Sequence, residues 1–152
     1  MFDLHNVEPI EILMAEDDKS DKIFAEQAFK HTSCQTNLTI VDNGEQLLAY
    51  LRQQDPYTDA RYPDLILLDI NMPRMNGHEA LKEIKSDPKL KHIPVIVLSG
   101  SNATEDILES YKNYASAYMP KSIGFTEMLD FVKSIENFWF KRVRLPQRQP
   151  LN

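Results

Sequence analysis

A doubly wound α/β domain, with a five-stranded parallel sheet and five flanking helices, is the fold this sequence predicts, and three observations lead to it. Short segments rich in β-branched and aliphatic residues recur along the chain, and helical patterns separate them in strict alternation. The third and fourth segments are almost continuously apolar rather than alternating, as central strands of a parallel sheet covered on both faces must be.

The strands are expected at Ile10–Ala15, Thr36–Val41, Asp64–Leu68, Ile93–Leu98 and Ser116–Met119. A first helix, from about Ser20 to Lys30, is less cleanly striped but carries Ile23, Phe24, Ala28 and Phe29. In the later helices apolar residues share one face: Leu47, Leu48 and Leu51; Ala80, Leu81 and Ile84; Ile107, Leu108 and Tyr111; and Phe125, Met128, Leu129, Val132 and Ile135. Residues 53–63 form a polar loop punctuated by Pro56 and Pro63. One domain is expected over residues 9–140, with tails over 1–8 and 141–152. Right-handed crossovers put helices on both faces, so ligands should bind at the carboxyl ends of the strands.

Composition narrows the functional classes. The chain has 152 residues, 42% hydrophobic and 26% charged, enough for one domain with a real core. Apolar runs such as Leu65–Leu68 fall far short of the roughly 20 residues of a membrane span. The start, Met1 to Pro9, has no basic stretch followed by an apolar one, so no signal peptide is read and a cytoplasmic location is expected. Cys34 is alone, and His5, His31, His78 and His92 are scattered, which argues against disulfides and zinc. A net charge of −6 argues against nucleic acid, since the basic cluster is confined to Lys141, Arg142, Arg144 and Arg148.

The polar residues that follow the strands are Glu16, Asp17 and Asp18, then Asp69, Ser99 and Lys121. Taken singly, a strand-end Asp reads as a helix cap and a Lys as a solvated charge; at the ends of four different strands they read as one site. Converging carboxylates repel unless a cation neutralises them, and oxygen-only ligands favour Mg2+. A carboxylate beside magnesium can attack a phosphoryl donor and form an aspartyl phosphate. Asp69 is then the nucleophile, and Lys121 and the Ser99 hydroxyl donate to phosphoryl oxygens.

The segments Met14-Ala15-Glu16-Asp17-Asp18, Leu67 to Gly77 with its Asn71-Met72-Pro73 and Asn76-Gly77, and Ile93 to Gly100 resemble receiver domains of two-component signalling, a flavodoxin-like fold. The resemblance covers about residues 9 to 140. It implies metal binding by Glu16, Asp17 and Asp69 with the backbone carbonyl of Asn71, Asp17 being a direct ligand and Asp18 outside the site. It implies a switch in which the Ser99 hydroxyl moves toward the phosphoryl group and Tyr118 rotates inward, and it puts Asn71 and Ser101 where side chains orient an attacking water. Pro73 fixes backbone torsion in the acceptor loop, and Gly77 is read as permitting a conformation other residues resist.

Ser122 stands where receivers commonly have proline, which leaves the path of the Lys121 loop open. That serine, the polar loop before the third strand, and the ending Ile135 to Phe140 with Leu145-Pro146 resemble the single-domain response regulators of cyanobacterial phytochromes. The implied partners are a sensor histidine kinase, a phytochrome among the candidates, and a downstream protein or phosphotransfer partner, with no membrane and no output domain. No enzymatic turnover beyond self-phosphorylation and self-dephosphorylation is expected. A magnesium phosphohydrolase would want a carboxylate at position 71, and a nucleotide-binding domain of this topology a glycine-rich loop after the first strand. Phe138, Trp139 and Phe140 are consecutive, so at about 100° per residue they cannot all face inward; a homodimer through the last helix and tail is expected.

Overall fold

The computed structural model describes residues 8–146; His5 and Arg148 lie outside them. The strands are β1 (Ile10–Ala15), β2 (Thr36–Val41), β3 (Leu65–Asp69), β4 (Val95–Ser99) and β5 (Ala117–Pro120). They form one parallel sheet in the order β2-β1-β3-β4-β5, flanked by α1 (Lys19–Phe29), α2 (Gly44–Leu51), α3 (Gly77–Ser86), α4 (Thr104–Lys112) and α5 (Phe125–Ile135). The order reverses beside β1, which pairs with β2 on one side and β3 on the other. The crevice this reversal opens lies at the strands' carboxyl ends.

Alternation along each strand divides the core into two layers. Leu13, Ile66, Leu68, Val95 and Val97 pack with Leu47, Leu51, Leu81 and Ile84 of α2 and α3. Ile12, Met14, Leu65, Leu67 and Ile96 face the other way, onto Ala25 and Ala28 of α1 and Met128, Val132 and Ile135 of α5. Side-chain period 2 on strands and 3.6 on helices makes this double coverage possible.

Three helices begin on a side-chain cap. Asp18 accepts from the Asp21 N–H at 2.8 Å, Asn43 from Gln46 at 2.8 Å, and Asn76 from Glu79 at 3.0 Å. Helix α5 has no such cap and starts after Gly124, whose φ of 114° suits glycine alone.

Several expectations need correction. Asp69 and Ser99 are the last residues of their strands rather than loop residues, and Asp64 stands ahead of β3, accepting the Glu11 N–H at 2.8 Å. The apolar stripe of α4 is not buried: Leu108 and Tyr111 are about half exposed, and Ser110 is the residue it buries. Gly77 has no left-handed torsion. Glycine is needed there for space, because a Cβ would sit 2.5 Å from the Asp69 carbonyl oxygen and 2.5 Å from Ile70 Cα. The positive φ of the acceptor loop falls instead on Arg74, at 65°. Since two backbones press on that point, Gly77→Ala is expected to cost about 3 kcal/mol, read as a lower urea midpoint.

After α5 the chain widens into a π-helical turn, Glu136–Phe140, with the Lys141 N–H bonded to the Glu136 carbonyl at 3.1 Å. This turn, not a continuing α-helix, decides where the aromatics go: Trp139 and Phe140 pack on the α1/α5 layer, and Phe138 is 55% exposed. Glu136 is buried and accepts from the Ser33 N–H at 2.6 Å, the Ser33 hydroxyl at 3.1 Å and the Cys34 N–H at 3.1 Å. Burial alone would raise its pKa, but these donors and Lys141 outweigh it and hold the carboxyl below its ordinary value. A depressed folded-state pKa stabilises above the unfolded value and is lost as pH falls through the folded one. Glu136→Gln should therefore cost about 1–2 kcal/mol at neutral pH. In denaturation series at descending pH the gap should close below the ordinary carboxylate range.

Candidate functional site

The carboxyl ends of β1, β3, β4 and β5 bring a lysine among carboxylates. Glu16, directly after β1, is fully buried; its Oε1 accepts from Lys121 Nζ at 2.5 Å and its Oε2 from the Asp18 N–H at 3.0 Å. Asp69, at the end of β3, is 5% exposed; its Oδ2 accepts from Lys121 Nζ at 3.0 Å and its Oδ1 from the Asn71 N–H at 3.0 Å. Lys121 is set by β5, its own N–H donating to the Ser99 carbonyl at 2.8 Å. The cis peptide among the described residues lies at Asp55–Pro56, so the Lys121–Ser122 bond is trans.

Burial pushes the Glu16 carboxyl up to about 7, even against the hydrogen bonds from Lys121 and the Asp18 amide. Burial would lower the pKa of Lys121, yet the hydrogen bonds to Glu16 and Asp21 and the charge of Asp69 carry it above its ordinary value. The lysine is a fixed cation. Carboxylate oxygens of Glu16, Asp17 and Asp69 lie within 4.8 Å of one another, Asp17 being exposed to solvent. One lysine does not balance them, and hard oxygen donors with open access to water fit a divalent cation of the magnesium type.

The structure thus gathers Glu16, Asp17, Asp69 and Lys121 in one cleft, with Asn71 and Gly100 on its wall. The Asp18 carboxylate is committed to capping α1. Ser99 is fully buried, one residue beyond Leu98, the register partner of Asp69, and its Oγ accepts the Ser101 N–H at 3.0 Å.

Ser101 does not turn its side chain toward the carboxylates, where an attacking water would be held. Its hydroxyl donates to Asp106 Oδ2 at 2.6 Å and accepts from the Ala103 N–H at 3.1 Å, so it fastens the start of α4. Asp106 also meets His78 Nε2 of α3 at 3.1 Å; the Ser101 and His78 contacts hold its pKa below the ordinary value. Tyr118, on β5, donates its hydroxyl to the Ser101 carbonyl at 2.9 Å and packs against the α2/α3 layer.

Sequence reasoning missed Asp21. Its Oδ2 lies 3.0 Å from Lys121 Nζ, and both side chains are largely buried. An acidic residue in a first helical turn reads as a partner of the helix dipole. The available signal was its place in the first turn of α1, directly after the acidic loop that lines the same cleft.

Comparison with known proteins agrees with this geometry. The family model described as response regulator receiver domain matches residues 12–133. The response regulator Rcp1 of Synechocystis sp. is 38% identical over 138 residues, spanning 91% of this chain and 94% of that protein. The crystal structure of the Mn2+-bound form of Rcp1 superposes with a TM-score of 0.86, covering 91% of this chain and 100% of that one. The phosphorylated cyanobacterial phytochrome response regulator RcpA is 41% identical, with a TM-score of 0.88, covering 92% of this chain and 100% of the other.

Proposed function

Because the chain belongs to the response regulator receiver family, and is a response regulator of two-component signalling by that membership, we propose that Asp69 is its phosphoryl acceptor. The observation that carries this reading is the Lys121 ammonium bonded to Asp69 beside the carboxylates of Glu16 and Asp17. A histidine kinase supplies the phosphoryl group. Glu16, Asp17 and Asp69, with the Asn71 carbonyl, would hold Mg2+, which when bound sets positive charge against the transferring oxygens. An Asp69 oxygen forms the new bond to phosphorus as the donor's bond breaks and the donor leaves with the electron pair. Lys121 gives an N–H to a phosphoryl oxygen, and Ser99 gives its hydroxyl once it turns outward. Incubation with magnesium and acetyl phosphate, followed by intact mass measurement, should add one acid-labile phosphoryl group; no addition refutes the reading.

The kinase is of the phytochrome class, a reading supported by likeness to Rcp1 and RcpA over nearly the whole length of both. Self-phosphorylation and self-dephosphorylation are the extent of its chemistry. Among the described residues no helix is long and apolar enough to cross a membrane, and the setting we propose is the cytoplasm, where such kinases present their phosphohistidine. Exposed Phe138 stacks edge-on against Trp139, with centroids 5.5 Å apart, and anchors a homodimer formed through α5 and the tail. Phe138→Ser should move the sedimenting mass from dimer to monomer without loss of fold. A full-length chain that sediments as monomer at high concentration, with or without phosphodonor, overturns the dimer.

A further inference from the structure

The Lys121 ammonium has three N–H donors and meets three carboxylates: Glu16 at 2.5 Å, Asp21 at 3.0 Å and Asp69 at 3.0 Å. Two of these belong to the trio with Asp17 that fits a cation, and Asp21 does not. We infer that Asp21 is a positioning residue that tethers the Lys121 ammonium at the acceptor throughout phosphoryl transfer, on a separate footing from the metal. The inference rests on the reading of Asp69 as acceptor.

The need for a tether follows from where Lys121 stands. It sits just past a four-residue edge strand, followed by exposed Ser122 and Ile123, at the end of a flexible four-carbon stem. Its other two partners are shared. Asp69 would give up its contact with the ammonium to a phosphoryl oxygen as the new bond forms, and Glu16, whose oxygens accept from Lys121 and the Asp18 N–H, belongs to the trio that would hold the cation. Asp21 is left as the one undivided counter-charge.

Its own position is firm. The Asp21 N–H is bonded to the Asp18 carboxylate at 2.8 Å and the Lys22 N–H to the Asp18 carbonyl at 3.0 Å, so the anchor is the capped first turn of α1. The Asp21 and Lys121 side chains are only 15% and 16% exposed, so water competes weakly for the pair, unlike an ordinary surface ion pair. The ammonium donates to Glu16 at 2.5 Å and to Asp69 at 3.0 Å, and the Asp21 carboxylate, ion-paired with it at 3.0 Å, braces it from the side of α1.

The test uses the full chain carrying Asp21→Asn or Asp21→Glu, with acetyl phosphate as donor and magnesium titrated separately by calorimetry. Asp21→Asn should lower the maximal phosphorylation rate about tenfold, with little change in the half-saturating donor concentration. Magnesium affinity should stay at the wild-type value. The Lys121 ammonium resonance, observed by 15N NMR in the absence of donor, should shift or broaden. Asp21→Glu, which keeps the charge but displaces it, should fall between wild type and Asn in rate, and carries the same test if the Asn protein fails to fold. A wild-type rate in both variants, an unmoved ammonium resonance, or magnesium affinity falling in step with rate would overturn the inference, the last by making Asp21 a metal ligand. If the wild-type protein takes up no phosphoryl group, the acceptor reading fails on its own, while the resonance still reports on the tether.

Discussion

Asp69→Asn protein incubated with magnesium and acetyl phosphate is expected to gain no acid-labile phosphate, with uptake falling to the background seen without donor. A carboxamide oxygen is a poor nucleophile, and the neighbouring carboxylates have other duties, Asp17 as a ligand of the cation by our reading. Glu16 is fully buried beneath Lys121, Asp21 is engaged by the same ammonium, and Asp18 is held as a helix cap. The fold should survive. The Asn carbonyl can still accept the Asn71 N–H, and Lys121 keeps Glu16 and Asp21 when its Asp69 contact is lost. Removing one of several crowded carboxylates also relieves repulsion, so the variant's melting temperature without metal should be no lower than that of the wild type. Intact mass and a thermal scan check both halves; phosphate retained on another residue would refute the assignment.

Asp17→Ala is expected to weaken magnesium binding by more than about a hundredfold, because a hard cation loses a direct oxygen ligand and a balancing charge together. Asp17 is the exposed member of the trio, so its removal leaves no buried group unpaired and the fold intact. Asp18→Ala makes the contrast. It should leave magnesium affinity close to wild type while costing about 1 kcal/mol of stability, the worth of a helix cap. Calorimetric titration of both proteins, alongside denaturation, separates the two roles. Equal losses of affinity would mean that the acidic pair is Asp17 and Asp18 rather than Glu16 and Asp17.

How far the sequence could be read depended on whether a feature is local. The central strands were legible because both faces of β3 and β4 are covered and every side chain on them is apolar until Asp69 and Ser99. The site followed, since polar residues ending such strands have one crevice to enter. What escaped was decided by spatial neighbours. Gly77 is required by the approach of the Asp69 and Ile70 backbones, which no local pattern announces. The α4 stripe looks like any buried face, yet Leu108 and Tyr111 stay exposed. Asp21 became a lysine partner only because the chain leaving β5 brings Lys121 to the first turn of α1. The π turn at Glu136 was not foreseen, although one of the three adjacent aromatics, Phe138, stays outside as their spacing requires.

Ser101 has a consequence that reaches beyond the cleft. Its N–H holds the Ser99 hydroxyl, its own hydroxyl holds Asp106 on α4, and its carbonyl holds Tyr118. For Ser99 to turn toward a phosphoryl group, that first bond must open, which loosens the residue to which the other two are tied. If Ser99 moves in this way, a ligand that grips α4 or the Tyr118 ring in one arrangement would bias the Ser99 hydroxyl, and phosphorylation would bias α4 in return. Thermodynamic reciprocity makes the two effects equal in size: the factor by which phosphorylation tightens a partner on α4 is the factor by which that partner favours the phosphorylated state. A downstream protein that bound there would thus do more than read the signal: it would itself favour the phosphorylated arrangement.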